Sequence, residues 1–368
     1  MASSTDFVFT GSWPRTVFGS DTINGIPEEL HRLHVERPVI VCSPTRVSLA
    51  KLVKDILEHA GVTVLGVVDK AAVHVPVELT EESVTLTKSY GADSVISVGG
   101  GSAVGLGKAI CYRMALPHVC IPTTYSGSEM TAILGELKDG KKVAVTHPKI
   151  LPSTVIYDVT LTLQLPRTLT AVSALNAMAH SIESLYAEGA NPVAALAALE
   201  SIRCLRLSLP GVVADPSSTK DRSSLLYGAF LAGMSVASTG IALQHKLAHT
   251  VAACCSLSHA HTHAVLLPHT LAYNLPSVGQ DVASRLGHAL VGHRDASMQD
   301  IVQVSNELLR TLDIPCALKD MGMDEGDIDR TADTAMEKPY WNPRLLERQK
   351  VREIIRRAWA GELARVDL

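Results

Sequence analysis

Aromatic side chains are scarce in this 368-residue chain, where Phe, Tyr and Trp together make up 4%. Apolar residues reach 46% and charged residues 19%, so Ala, Val and Leu must fill the interior. Small aliphatic side chains of that kind suit helices and buried parallel strands. A dominant charge is also missing. The net charge of −4 leaves no basic footprint for nucleic acid or an anionic membrane. No run approaches the roughly 18 apolar residues of a membrane-spanning helix, and the opening MASSTDFVFTGSWPRTVFGS lacks the basic flank and apolar core of a secretory leader. Seven cysteines, an odd number scattered without a CxxC, speak against a disulfide framework and for reduced thiols. The neighbours Cys254 and Cys255 are poorly placed to chelate one ion together. These absences point to a cytoplasmic protein that handles a small molecule, without a nucleic-acid or membrane partner.

The length predicts two domains, and the pattern changes near residue 165. In the first part, strands and helices alternate. RPVIVCS (37–43), VTVLGVV (62–68), DSVISVGGGS (93–102) and HVCIPTT (118–124) read as strands, with helices over 48–61 and 78–91 between them. That alternation predicts a parallel sheet. A hairpin follows over 132–146, turning at Asp139-Gly140, and TVIYDVTLTLQLP closes the part. From Arg167 onward the period is helical, as in 170–187, 191–209, 223–239 and 345–363. We therefore expect an α/β nucleotide-binding domain over 1–165 and an all-helical domain over 166–368, with a cleft between them.

The chain lacks the GxGxxG fingerprint of a standard dinucleotide fold, yet Gly99-Gly100-Gly101-Ser102 joins a buried strand to the helix AVGLGKAI. Glycines there allow close approach of a phosphate, and the helix N-terminus offers free N–H groups and a positive dipole. The strand ending Val41-Cys42-Ser43 carries no acid for an adenosine ribose, so NADH and NADPH both stay open as the cofactor.

Six of the fifteen histidines crowd into His245–His269, HKLAHTVAACCSLSHAHTHAVLLPH. Asn176 and His180 stand four apart on one expected helix, and His245 and His249 four apart on another. Each pair shares a helix face, and His259 follows after a break. Imidazoles from different segments are the donors of a divalent metal site or the acids and bases of a proton-transfer site. HKLAH lacks the Glu of HExxH, which excludes a metalloprotease of that type. His269, on the strand-like VLLPH, reads as a core group, and His261 and His263 are open to the same reading.

GGGS (99–102), PTTYSGSEMT (122–131), LNAMAHSIESLYA (175–187), HKLAH with His259, and VLLPHTLAYN (265–274) resemble the iron-type alcohol dehydrogenase superfamily. YDVTLTLQLP (157–166) and PYWNPRLLER (339–348) are similar to its maleylacetate reductase branch. The resemblance implies the dehydroquinate synthase-like fold, an α/β nucleotide domain followed by an all-helical domain, assembled as a homodimer. It implies reduction of the C=C bond of maleylacetate, or a related unsaturated acid, by NADH or NADPH. Gly99, Gly100, Gly101 and Ser102 would then cradle the pyrophosphate, with Thr123, Thr124, Ser128 and Lys142 flanking the nucleotide, and Ser43 at its strand end is a further cofactor-binding candidate. His180, His245 and His259 match three metal positions of the superfamily, and His249 its additional histidine. The fourth position, an Asp in the metal-dependent enzymes, is Asn176 here. A neutral amide is a weak ligand, so this departure points to a metal-free reductase in which His249, or next His245, gives the proton.

The stretch Ala252–His261 departs from the branch, lacking its aromatic, the proline before the third histidine and the acid after it. Gln244 stands where another histidine is common, and KKVAVTH (141–147) departs from a Lys-Thr-rich version. Two other readings accordingly stand beside the reductase: a member repurposed for a non-redox step such as a cyclisation, and a metal-dependent alcohol dehydrogenase.

Overall fold

The computed structural model describes residues 6–368, so the first five residues of the opening segment read above lie outside it. The described chain divides into two compact units, Ser12–Leu165 and Pro166–Leu368, with residues 6–11 grouped with the second.

The first unit runs β1 (Arg15–Gly19), α1 (Ile26–Arg32), β2 (Pro38–Val41), α2 (Val47–His59), β3 (Gly66–Val68), α3 (Val77–Tyr90), β4 (Ser94–Gly99), α4 (Gly101–Met114) and β5 (His118–Pro122). The hairpin β6 (Ile133–Lys138) and β7 (Lys141–Thr146) follows, then β8 (Thr154–Asp158). Six strands form one parallel sheet in the order β1-β8-β5-β4-β2-β3. Both faces are buried, which explains the unbroken aliphatic runs. Ile40, Ile96, Val98 and Val119 pack on one side with α1 and α2. Their neighbours Val39, Val41 and Val95 pack on the other with α3 and α4.

Two differences from the sequence reading concern this sheet. The strand β1 was not expected, because it is a half-exposed edge of five residues without a distinctive pattern. It pairs along its length with β8, Arg15 opposite Thr154 and Gly19 opposite Asp158. The strand expected over 62–68 shrinks to Gly66–Val68, where the Tyr90 ring lies 2.6 Å from the position a Cβ on Gly66 would take. The hairpin turns where expected. Asp139 at φ 49° and Gly140 at φ 71° are both left-handed, as a two-residue turn matched to strand twist requires.

The second unit is helical: α5 (Arg167–Ser184), α6 (Pro192–Ala214), α7 (Thr219–Thr239), α8 (Leu243–Cys255), α9 (His259–Asn274), α10 (Gln280–Leu290), α11 (Met298–Thr311), α12 (Asp327–Glu337) and α13 (Arg348–Ala360). Several starts were marked in the sequence. The Asn191 side chain accepts from Ala194 N, Ser218 from Asp221 N, and Ser297 forms a capping box with Asp300. The strand-like reading of VLLPH is corrected, since these residues lie inside α9. Every residue from Thr262 to Leu275 is buried, so no polar face is left to show a 3.6-residue period. Pro268 inside the helix obscured it further. No single helix among the described residues is long and apolar enough to cross a membrane, and all seven cysteines are free thiols.

α4 meets the sheet at a point without slack. A Cβ on Gly107 would stand 2.6 Å from His118 Nε2 and 2.9 Å from Ser97 Cβ, while His118 Nε2 is held 2.8 Å from Ser97 Oγ. Gly107→Ala would gain about 1 kcal/mol of helix propensity against about 1–3 kcal/mol of overpacking. We expect a net loss of up to about 2 kcal/mol, read as a lower urea midpoint at unchanged slope; a more stable variant would contradict this packing. Burial pushes the pKa of His118 down to about 3 and that of His269 down to about 4. The unfolded chain protonates both near 6.5. Between that value and the folded ones it binds more protons than the native state, so stability falls as pH falls. The two together give up to about 2.7 kcal/mol per pH unit. Urea unfolding between pH 6.5 and 5 should show this loss, and His118→Gln should remove about half of it.

Candidate active site

In the α/β unit, β4 ends at Gly99 with φ 144°, a conformation closed to side chains with a Cβ. Gly100 is the N-cap of α4, and Gly101 and Ser102 open its first turn. A Cβ on Gly100 would come 3.0 Å from Thr124 Cγ2, whereas nothing lies within 4 Å of one built on Gly101. Thr123 N donates to Gly99 O at 2.9 Å, and the buried Thr123 Oγ1 has no partner. The fold thus brings Gly99, Gly100, Gly101, Ser102, Thr123 and Thr124 together. Ser43 follows β2, the neighbour of β4 in the sheet, with Val41 opposite Ser97. The strand order reverses between β2 and β4, and parallel sheets bind nucleotides outside the carboxyl ends of strands at such a point. A cradle that a Cβ would fill, an orphaned hydroxyl and a helix N-terminus fit a dinucleotide pyrophosphate.

Ser128 sits in a segment held by a residue the sequence reading passed over. Lys108 is buried on α4, its pKa lowered to about 8 by burial. Its Nζ donates to Ser128 O at 2.5 Å, Thr131 O at 2.7 Å and Ile133 O at 3.1 Å. Glu129, fully buried, accepts from Tyr157 Oη at 2.7 Å and from Ser126 Oγ at 3.1 Å, and burial raises its pKa. The signal was there: a lysine in the otherwise apolar helix AVGLGKAI. Lys142, by contrast, stands on the exposed strand β7.

In the helical unit, α5 presents Asn176 and His180, and α8 presents His245 and His249. The first turn of α9 adds a third pair at the same spacing, His259 and His263, which the sequence reading missed. The signal was the His-x-x-x-His in SHAHTHA, hidden by treating His263 as a candidate core group. That reading is corrected: His263 is fully buried, yet it lies inside the cluster. Its ring centroid is 4.5 Å from that of His245, 4.6 Å from His259 and 6.1 Å from His249. His180 stacks on His245 at 4.4 Å, and His249 lies 5.1 Å from His259. His261 turns instead to Ser258 Oγ at 2.8 Å.

One carboxylate backs the group. Glu183, a turn after His180 and fully buried, accepts from His245 Nδ1 at 2.5 Å and from Gln244 N at 2.7 Å. Gln244 Nε2 donates to His263 O at 2.9 Å, and its Oε1 accepts from Thr270 at 2.5 Å. Asn176 Oδ1, His180 Nδ1, His245 Nε2 and His263 Nε2 are buried without protein partners. Such atoms are costly unless something else satisfies them. Burial, then the neighbouring imidazoles, hold His180 and His263 well below the usual histidine pKa, so both are neutral bases at pH 7.

Iron does not fit the Asn176–His180–His245–His259 set. The facial-triad pattern of non-haem ferrous sites combines imidazole with a carboxylate. Here the amide oxygen of Asn176 is neutral, and the nearby buried acid is engaged by His245 and Gln244.

Comparison with known proteins agrees with these features. Residues 14–159 match the family model described as iron-containing alcohol dehydrogenase, and 170–359 that of the Fe-containing alcohol dehydrogenase family, C-terminal. A maleylacetate reductase of Rhizobium sp. (strain MTP-10005) is 42% identical over 96% of this chain and 98% of its own. Maleylacetate reductase 1 of Rhodococcus opacus is 39% identical over 97% and 98%. The crystal structure of maleylacetate reductase from Agrobacterium tumefaciens superposes with a TM-score of 0.91 at 38% identity, covering 97% of this chain and 99% of that one. With its glycine turn, its histidine helices and these matches across both units, the chain belongs to the iron-containing alcohol dehydrogenase family.

Proposed function

We propose that this protein reduces the C=C bond of maleylacetate, giving 3-oxoadipate, with NADH or NADPH as reductant and without a metal. The carrying observation is that the chain carries a built pyrophosphate turn in one unit and, in the other, a histidine cluster that lacks a carboxylate ligand. Identity of 42% to a maleylacetate reductase over nearly the whole chain supports the choice of substrate. The proposal extends to a cytoplasmic homodimer, on the family resemblance.

The bound nucleotide supplies hydride to the alkene carbon remote from the substrate ketone. On this chain, Gly99–Ser102 would hold the pyrophosphate by backbone N–H groups, with Thr123 Oγ1 within the same turn. The electron pair released by hydride addition moves onto the ketone oxygen as an enolate, and a proton added at the adjacent carbon completes the reduction. A ketone already conjugated to the alkene takes up that charge itself, so imidazoles can stabilise it without a Lewis acid. Glu183 behind Nδ1 fixes the orientation of the His245 ring and leaves Nε2 unpartnered. His249 is half-buried, whereas His245 and His263 are buried. Turnover requires the acid to regain a proton from water each cycle, which favours His249 as the donor.

Following NADH and NADPH absorbance with maleylacetate, with and without a chelator, tests this directly. We expect oxidation of at least one nucleotide, unaffected by the chelator. No consumption of either would overturn the assignment, and chelator sensitivity would overturn the metal-free form. His249→Ala should lower kcat by about 10²–10⁴-fold as lost general-acid catalysis. An unimpaired variant moves the proton to His245, where Glu183→Gln should then depress kcat more than KM.

A further inference from the structure

The outward face of α6 carries a pattern for which the reaction has no use. α6 packs against α5 and α7, and on a surface helix the remaining face is ordinarily polar. Here it is apolar: Leu196 is 68% exposed, Leu207 54% and Val193 40%. Between them stand Glu200 and Arg203, with Arg203 donating to the carboxylate from Nε at 2.8 Å and from Nη2 at 2.7 Å. We propose that this face is a two-fold interface with a second copy of the chain, α6 lying antiparallel on α6. It deepens the homodimer proposed above and rests on that reading, while the reaction plays no part.

The spacing points to a helix as the occupant. Val193, Leu196, Glu200, Arg203, Leu207 and Pro210 are all exposed or half-exposed, and they follow one another by alternate steps of three and four. That is the seam of helices that pair side by side. A two-fold axis makes residue i meet j and j meet i. With the axis between Glu200 and Arg203, Glu200 faces the partner's Arg203 and Arg203 the partner's Glu200. Leu196 then meets the partner's Leu207, and Val193 the partner's Pro210. Every apolar position finds an apolar one, and every charge its opposite.

Other alignments lose this match. Parallel pairing sets Glu200 on Glu200 and Arg203 on Arg203, and an antiparallel pair centred on Glu200 again opposes two carboxylates. Such juxtapositions are the repulsive element that fixes a register. The self-complementarity selects a second copy of this chain over an unrelated partner. The area is sufficient as well. α7 widens the face with Tyr227, 39% exposed, whose ring centroid lies 6.4 Å from that of Phe230. The 23 residues of α6 extend about 34 Å, and two packed helices span about 20 Å. The product, about 700 Å² per copy, is close to the roughly 800 Å² of a standard interface.

Analytical ultracentrifugation of the full-length protein tests this without reference to turnover. We expect Leu196→Asp/Leu207→Asp to sediment with half the mass of the wild type at unchanged helical circular dichroism. Charge reversal is sharper. Glu200→Arg and Arg203→Glu should each weaken self-association by about 100-fold or more, as like charges come to face each other. An equimolar mixture of these two variants should associate as tightly as the wild type. Each variant chain carries like charges at 200 and 203, so the intrachain pair stays broken in both, and only pairing between chains brings opposite charges together. A monomeric wild type would overturn this interface and the homodimer alike. Variants that keep the wild-type mass, or a mixture no tighter than its components, would overturn the interface alone and leave the homodimer and the reductase standing.

Discussion

The helical unit depends on one buried carboxylate. Glu183 on α5 takes hydrogen bonds from the His245 side chain and the Gln244 backbone on α8. Gln244 then grips the His263 carbonyl on α9. A single charged group thus fixes the mutual placement of the three helices that present the histidine cluster. Removing a charge of this kind from water is costly, and hydrogen-bond partners that leave few lone pairs idle are what make it tolerable. The same engagement takes the acid out of contention as a metal ligand. Asn176 and Glu183 are therefore two sides of one arrangement: the position that would ligate is neutral, and the acid that is present serves as a structural anchor.

The α/β unit has a counterpart of opposite sign. Lys108 on α4 ends among main-chain carbonyls of the Ser128–Ile133 segment. The helix whose N-terminus forms the phosphate turn therefore also pins the loop bearing Ser128. In both units, a buried ionic group turns secondary structure into a positioned site, and neither group is expected to touch a reacting atom.

Much of this was legible in the sequence. The aliphatic runs read as parallel strands because both sheet faces are covered. The change from strand–helix alternation to helix alone fell at the junction of the two units. The four-residue spacing of Asn176 with His180 and of His245 with His249 predicted two shared helix faces, and each pair does lie on one helix, α5 and α8. What escaped did so for physical reasons. β1 is a short edge strand with little apolar content, so its pairing with β8 is a tertiary fact. The helical character of VLLPH was masked by burial on every side. His263 was passed over because a histidine in an apolar helix looks like any satisfied core residue until its neighbours are known. Glu183 and Lys108 act through atoms distant in sequence, and no local pattern marks such partners.

The contact of Gly107 with His118 reaches beyond stability. Three residues on three consecutive elements, Ser97, Gly107 and His118, fill one another's space to within a fraction of an ångström. A lineage drifting away from this sequence cannot exchange them one at a time: a side chain at 107 demands a smaller partner at 118, and a smaller partner leaves the hydroxyl at 97 without its hydrogen bond. The trio should therefore persist or turn over as a block among relatives, a linked substitution pattern in an otherwise tolerant aliphatic core.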